Sequence, residues 1–234
     1  MKKKKIISSF IASVSILGIS SVIMFNSSDV TKANNTTNQT DAFTILKQDH
    51  KELKNVSSQP FIVVNNKKHT KEEFKKFEEI SNFIQVNNGD PVLSESELQE
   101  DFIADAVLVD HAETENIVVT KSEAEEFSKT MRKIVEESSD DATKQFINDY
   151  ISATGITEEE YWNQTVEGYK KTLTIGKLKE KFFKDLESNK SLESNTNKLA
   201  TSNVTSENSN ELNEAWDKYQ QELVNKANVE LLNQ

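Results

Sequence analysis

The 234-residue sequence predicts an all-α fold with one or two very short strands, and three observations lead there. Glycine and proline are scarce, with five and two residues, so few positions break a helix. Apolar residues recur at three- and four-residue spacing along several segments. Four of those segments open on Ser or Thr with Glu three residues later, the signature of a capping box in which the hydroxyl accepts from a free first-turn amide.

The elements follow in order. Phe61-Ile62-Val63-Val64, behind Pro60, is a β-branched run that reads as one short strand. Asn65-Asn66-Lys67-Lys68 reads as a turn. Thr70-x-x-Glu73 opens a helix carrying Phe74, Phe77, Ile80, Phe83 and Ile84, which ends at Asn87-Asn88-Gly89-Asp90-Pro91. Ser94-x-x-Glu97 opens a second, with Leu98, Phe102, Ala106 and Val109 along one face. Thr120-x-x-Glu123 caps a third, through Ala124, Phe127, Met131, Ile134 and Val135. A fourth runs from Ala142 to Thr154 and closes at Gly155, where a left-handed cap carries no Cβ penalty. Thr157-x-x-Glu160 starts the longest, with Trp162, Val166, Tyr169 and Leu173 as one stripe and Ile175, Leu178, Phe182 and Leu186 continuing it. Trp216, Tyr219, Leu223 and Ala227 mark a last helix, and Val229-Glu230-Leu231-Leu232 alternates weakly, as a short strand does.

Composition divides the chain into five segments. Residues 1–33 carry four consecutive lysines and then an uncharged apolar run from Ile6 to Phe25, the pattern of a secretory signal, so the protein is expected to be exported. Cleavage is expected after Ala33; the other reading of the same run is an uncleaved membrane anchor. Residues 34–58 read as a polar spacer in which Phe43, Ile45 and Leu46 start at most a short helix. Residues 59–187 hold the helical domain, 188–210 form a Ser/Asn/Thr tract without an aromatic residue, and 211–234 carry the last helix, expected to pack back on the domain.

Charge and side-chain chemistry exclude whole classes of function. The formal charge is −11, and because residues 1–33 hold five lysines and one aspartate it falls to −15 without them. No basic patch remains to release counterions from phosphate, so nucleic acid is not an expected partner, and a membrane is expected to be met only through the N-terminal segment. Cysteine is absent, which rules out disulfides, thiolate ligands and a cysteine nucleophile. The three histidines, His50, His69 and His111, lack metal-ligand spacing and read as solvated surface residues, so no metal and no cofactor is expected. Glu123/Glu125/Glu126 and Glu158/Glu159/Glu160 read as dipole-favouring first-turn acids rather than catalytic pairs, and no nucleophile-elbow motif occurs; no catalytic residue is assigned.

Three strings together carry a family resemblance: FIVVNNKKHTKEEF, AVLVDHAETENIVVTKSEAEEF and FINDYISATGITEEEYWNQTVEGYKKTLTIGKLKEKF. In their order and spacing they resemble the chaperone domain of SurA-type and PrsA-type secretion foldases and, more distantly, the trigger-factor substrate domain. AWDKYQQELVNKANVELLN is similar to the segment by which that family returns to its chaperone domain after an inserted parvulin-type isomerase. The likeness covers roughly residues 60–187 and 211–234. Two departures stand out. Asn66 takes the place of the family's usual glycine, and Asn tolerates a left-handed turn. Only the Ser/Asn tract lies where the isomerase would be, with no Gly-Gly and no histidine after His111, so no prolyl isomerase activity is expected.

What the resemblance implies is an exported, non-enzymatic chaperone whose partners are unfolded or newly exported polypeptides. Client contact is expected at Phe74, Phe77, Phe83, Trp162, Tyr169, Phe182 and Phe183, since an open apolar cradle holds unfolded chains without directional bonds. The other reading is a surface or wall-associated interaction protein that uses the same fold for one dedicated partner. The lysine- and asparagine-rich composition is compatible with a Gram-positive source.

Overall fold

A computed structural model describes residues 32–139, 141–194 and 206–232. The fold is mostly helical, with a small three-stranded sheet. The elements are α1 (Lys32–Leu53), β1 (Pro60–Val64), β2 (Lys67–Thr70), α2 (Lys71–Asn88), α3 (Glu95–Thr114), α4 (Lys121–Glu137), α5 (Asp141–Thr154), α6 (Glu158–Ser194), α7 (Ser206–Lys226) and β3 (Val229–Leu231).

Local chemistry sets the helix ends. Thr70, Ser94 and Thr120 each close a reciprocal capping box on Glu73, Glu97 and Glu123, and Thr157 does the same with Glu160. Gly89 at φ 78° ends α2 in a Schellman pair of bonds, Asp90 N–H to the Gln85 carbonyl and Gly89 N–H to that of Val86. Asn116 at φ 57° ends α3 in the same way, with Ile117 donating to Ala112 and Asn116 to Glu113. Gly155 at φ 70° stops α5.

Lys67–Thr70, read from sequence as turn and cap, is a strand. It has no apolar alternation to announce it, and turn chemistry creates it instead. Asn65 and Asn66 take φ 47° and 72°, the two left-handed residues of a tight hairpin, and put Lys67 opposite Val64. β3 pairs with the other side of β1, Val229 against Val64 and Leu231 against Ile62, so the sheet order is β2-β1-β3. Asn65 ties three elements together. Its amide donates to Asp110 on α3 at 2.9 Å, and its side-chain oxygen accepts from the Asn228 backbone at 3.0 Å. Lys67 adds ion pairs to Asp110 and Glu113.

The segment read as a polar spacer is largely α1, a 22-residue helix whose Ala42 and Leu46 are fully buried. So few apolar residues make no readable stripe. They find cover because α2 and α5 offer aromatic surface: Phe43 lies 5.2 Å from the Phe83 ring and 5.4 Å from Phe146. The Ser/Asn tract is shorter than composition suggests, since α6 continues to Ser194 and α7 already begins at Ser206. A running helix adds a bond with each residue it fixes, which favours such polar extensions. The expected signal segment lies outside the described residues except for its last two positions, which open α1.

Three apolar clusters form the core. One joins α1, α2, α4, α5 and α6 around Leu46, Phe83, Met131, Tyr150, Trp162 and Tyr169. A second packs Ile62 and Val64 of the sheet on Phe74, Leu98 and Phe102, with Leu223 and Ala227 at its margin. The third sets Trp216 of α7 against Leu108 and Ala112 of α3 and Leu178 of α6. Trp216 is 2% exposed and has the rings of Phe182 and Tyr219 at 5.6 Å. Trp216→Ala is therefore expected to lower stability by about 3–5 kcal/mol, the usual cost of emptying a buried indole site; denaturant melts of the variant against the parent measure it.

Candidate functional site

The seven aromatics assigned to client contact do not form one surface. Phe74, Phe83, Trp162 and Tyr169 are core residues and present nothing to a client. Their helices pack on a neighbour along the very stripe that carries them, so the stripe is a seam rather than a cradle. Phe77 is half-buried, edge-on to Phe102 at 5.5 Å and beneath the Lys171 ammonium at 5.4 Å. Phe182 and Phe183, also half-buried, belong to the Trp216 cluster, where Phe182 stacks on Tyr219 at 4.4 Å and Lys179 lies 5.4 Å from the Phe183 ring.

Histidines are joints rather than solvated residues. His111 Nε2 meets the Tyr219 hydroxyl at 2.7 Å and so links α3 to α7. His69 stands edge-on to Phe102 at 5.5 Å. His50 Nδ1 lies 2.8 Å from Glu79 Oε1, joining α1 to α2, and Asn82 donates to Asp49 one turn along at 3.1 Å. Glu79 is only 5% exposed, and burial, then the charge of Asp49, raises its carboxyl to about 8. Burial, then Lys54, lowers His50. Both directions favour a neutral pair, with the Glu79 carboxyl donating to Nδ1, over an ion pair drawn out of water.

The acid clusters also have structural partners. Glu123 closes its cap and meets Lys177 at 2.9 Å; the Thr120 backbone bond, then Lys177, holds its carboxyl down at about 2. Arg132 bridges Glu136, Glu158 and Glu159. On α3, Asp105 is buried and paired with Lys171 of α6, and Asp101 one turn earlier is raised to about 6 by burial, then by the charge of Asp105. Among the described residues no group of three or more His, Cys, Asp or Glu is arranged to hold a metal ion, and no helix is long and apolar enough to cross a membrane.

One surface was not foreseen as a site. β3 is an edge strand, and its Val229 and Leu231 are 37% and 53% exposed. Being paired with Val64 and Ile62, they lie on the apolar face of the sheet but extend past what covers its centre. Asn228 accepts from Asn65 N–H, Leu232 donates to the Phe61 carbonyl, and Glu230 pairs with Val63 between them. By antiparallel alternation, the amides and carbonyls of Val229 and Leu231 point to the open side. The weak alternation at 229–231 was the only sequence signal for this edge.

Comparison of the chain with protein-family models, with curated proteins and with solved structures finds no match.

The Glu79 site predicts a pH dependence. Glu79 keeps its proton in the folded state up to about pH 8, whereas the unfolded chain releases it near the ordinary 4.5, so stability falls as pH rises through that interval. His50 acts oppositely below 6.5, and burial raises Asp49 only from its acidic range. Between pH 6.5 and 8 Glu79 dominates this cluster, with a loss of up to about 2 kcal/mol. Glu79→Gln, which can still donate to His50, is expected to flatten that slope in urea melts at pH 6.5, 7.2 and 8.

Proposed function

We propose that the chain is an exported, non-enzymatic chaperone of the SurA/PrsA-like type without the isomerase, a holdase that binds unfolded polypeptide by sequence-tolerant contacts. The observation that carries this reading is the split architecture. α7 and β3 arrive from beyond the Ser/Asn tract and pack on α3 and beside β1, the return that the resemblance implies. The edge of β3 supports it chemically. Main-chain groups are common to every polypeptide, so an open edge beside two exposed apolar side chains takes hold of many different unfolded chains. Val92, Val118 and Ile134 are exposed as well, but scattered single apolar residues are ordinary surface.

The test is aggregation of an acidic, chemically unfolded protein diluted into buffer. The chain from Asn34 onward is expected to suppress light scattering at near-stoichiometric ratio without ATP, and to leave the rate of prolyl isomerisation in a peptide assay unchanged. Raising salt is expected to keep or improve the suppression, because apolar attraction is unscreened while repulsion between two acidic chains is screened. Suppression that collapses between low and physiological salt, or capture of one folded partner in place of many unfolded ones, would favour the dedicated-partner reading.

A further inference from the structure

The exposed edge of β3 carries a charge pattern as well as open backbone groups. The row Lys68–Val63–Glu230 runs across the three strands on one face of the sheet, and the rows His69–Ile62–Leu231 and Lys67–Val64–Val229 run across the other. A strand added beside β3 continues each row by one residue. Beside Val229 and Leu231 it places two side chains on the apolar face, and beside Glu230 it places one on the charged face.

We infer that β3 is a docking edge for extended polypeptide segments of apolar–basic–apolar pattern, added antiparallel to Val229–Leu231 with Lys or Arg opposite Glu230. The inference refines the holdase reading by naming the segment its sheet edge selects. Charge complementarity chooses this occupant: Glu230 is exposed at the centre of the edge, and the chain as a whole is acidic at −11. The same charge argues against a second copy. Two β3 edges paired about their centres would set Glu230 against Glu230, like charges directly opposite, which is a recognised guard against edge-to-edge association.

The test uses the chain from Asn34 onward and two fluorescent heptapeptides, one alternating valine with lysine and one alternating valine with glutamate, read by anisotropy at low ionic strength. The lysine peptide is expected to bind at least about three-fold more tightly, the size of a cross-strand charge preference. Glu230→Lys is expected to reverse the order of the two peptides. Leu231→Pro removes an outward-facing amide together with one of the two apolar side chains of the edge and is expected to weaken binding of both by about ten-fold or more, with its thermal melt confirming a folded chain. Because that variant can also disturb the strand, hydrogen exchange on the parent chain gives an independent reading: the amides of Val229 and Leu231 gain protection when the lysine peptide is added.

Equal affinity for the two peptides in parent and Glu230→Lys chains overturns the inference, as does protection that appears elsewhere. Sedimentation showing a dimer that Leu231→Pro dissolves also overturns it, in favour of a second copy on the edge. The holdase reading fails separately. If aggregation suppression survives in Leu231→Pro, the edge is not its site while the chaperone activity stands; if the parent chain suppresses nothing yet binds the lysine peptide, the edge stands without it.

Discussion

α3 must be covered on nearly every side, and the rest of the fold answers that requirement. Its buried residues, Leu98, Phe102, Ala104, Asp105, Val107, Leu108 and Ala112, turn through more than half of the helix circumference at 100° per residue. No single neighbour can shield such an arc. The sheet and α2 take the first turns through Phe74, Ile62 and Val64, α6 takes the middle through Lys171 and Leu178, and α7 takes the last turns through Trp216. α7 is thus needed by α3 although a long stretch of chain separates them, which is why an acidic, largely polar C-terminal helix carries a tryptophan.

The clusters are joined by polar contacts that sit inside them. Ser128 and Thr165 share a hydrogen bond at 3.0 Å between α4 and α6, and Thr174 accepts from Val119 N–H at 3.4 Å where the chain enters α4. His50 with Glu79 and His111 with Tyr219 do the same for α1 and α7. Each joint has a partner within hydrogen-bond reach, so the polar atoms go into the core without the cost of an unmade bond. Helices that meet only through apolar area can slide; a donor matched to one acceptor sets their register.

The returning segment has two effects at once. Trp216 and Leu223 close the core, and by Asn228, the residue before β3, the chain has turned to lay β3 on β1. Because β3 is only three residues long and lies at the rim of the sheet, its apolar side chains reach past the helices that cover Ile62 and Val64. The surface proposed to hold polypeptide is therefore a by-product of how α7 and β3 complete the fold, whose aromatic residues are mostly committed to its interior.

The sequence by itself determined most of the helices and their capped ends. Capping boxes, left-handed Gly and Asn positions and 3.6-residue periodicity act within a few residues, so α2 through α5 and the start of α6 were legible. The strand at β2 and the full extent of α1 were not legible. Lys67–Thr70 has no alternating pattern and is a strand because a two-residue turn places it beside β1, and α1 owes its place to aromatic surface supplied from α2 and α5. The aromatics nominated for a site illustrate the same divide. A stripe at helical spacing states only that one face wants cover, and whether a neighbouring helix or a ligand supplies it depends on which helices meet. Only the tertiary structure decided that Phe74, Phe83, Trp162 and Tyr169 are interior while Val229 and Leu231, with no sequence mark beyond alternation, stand at an open edge, because exposure is a property of neighbours that lie far apart in the chain.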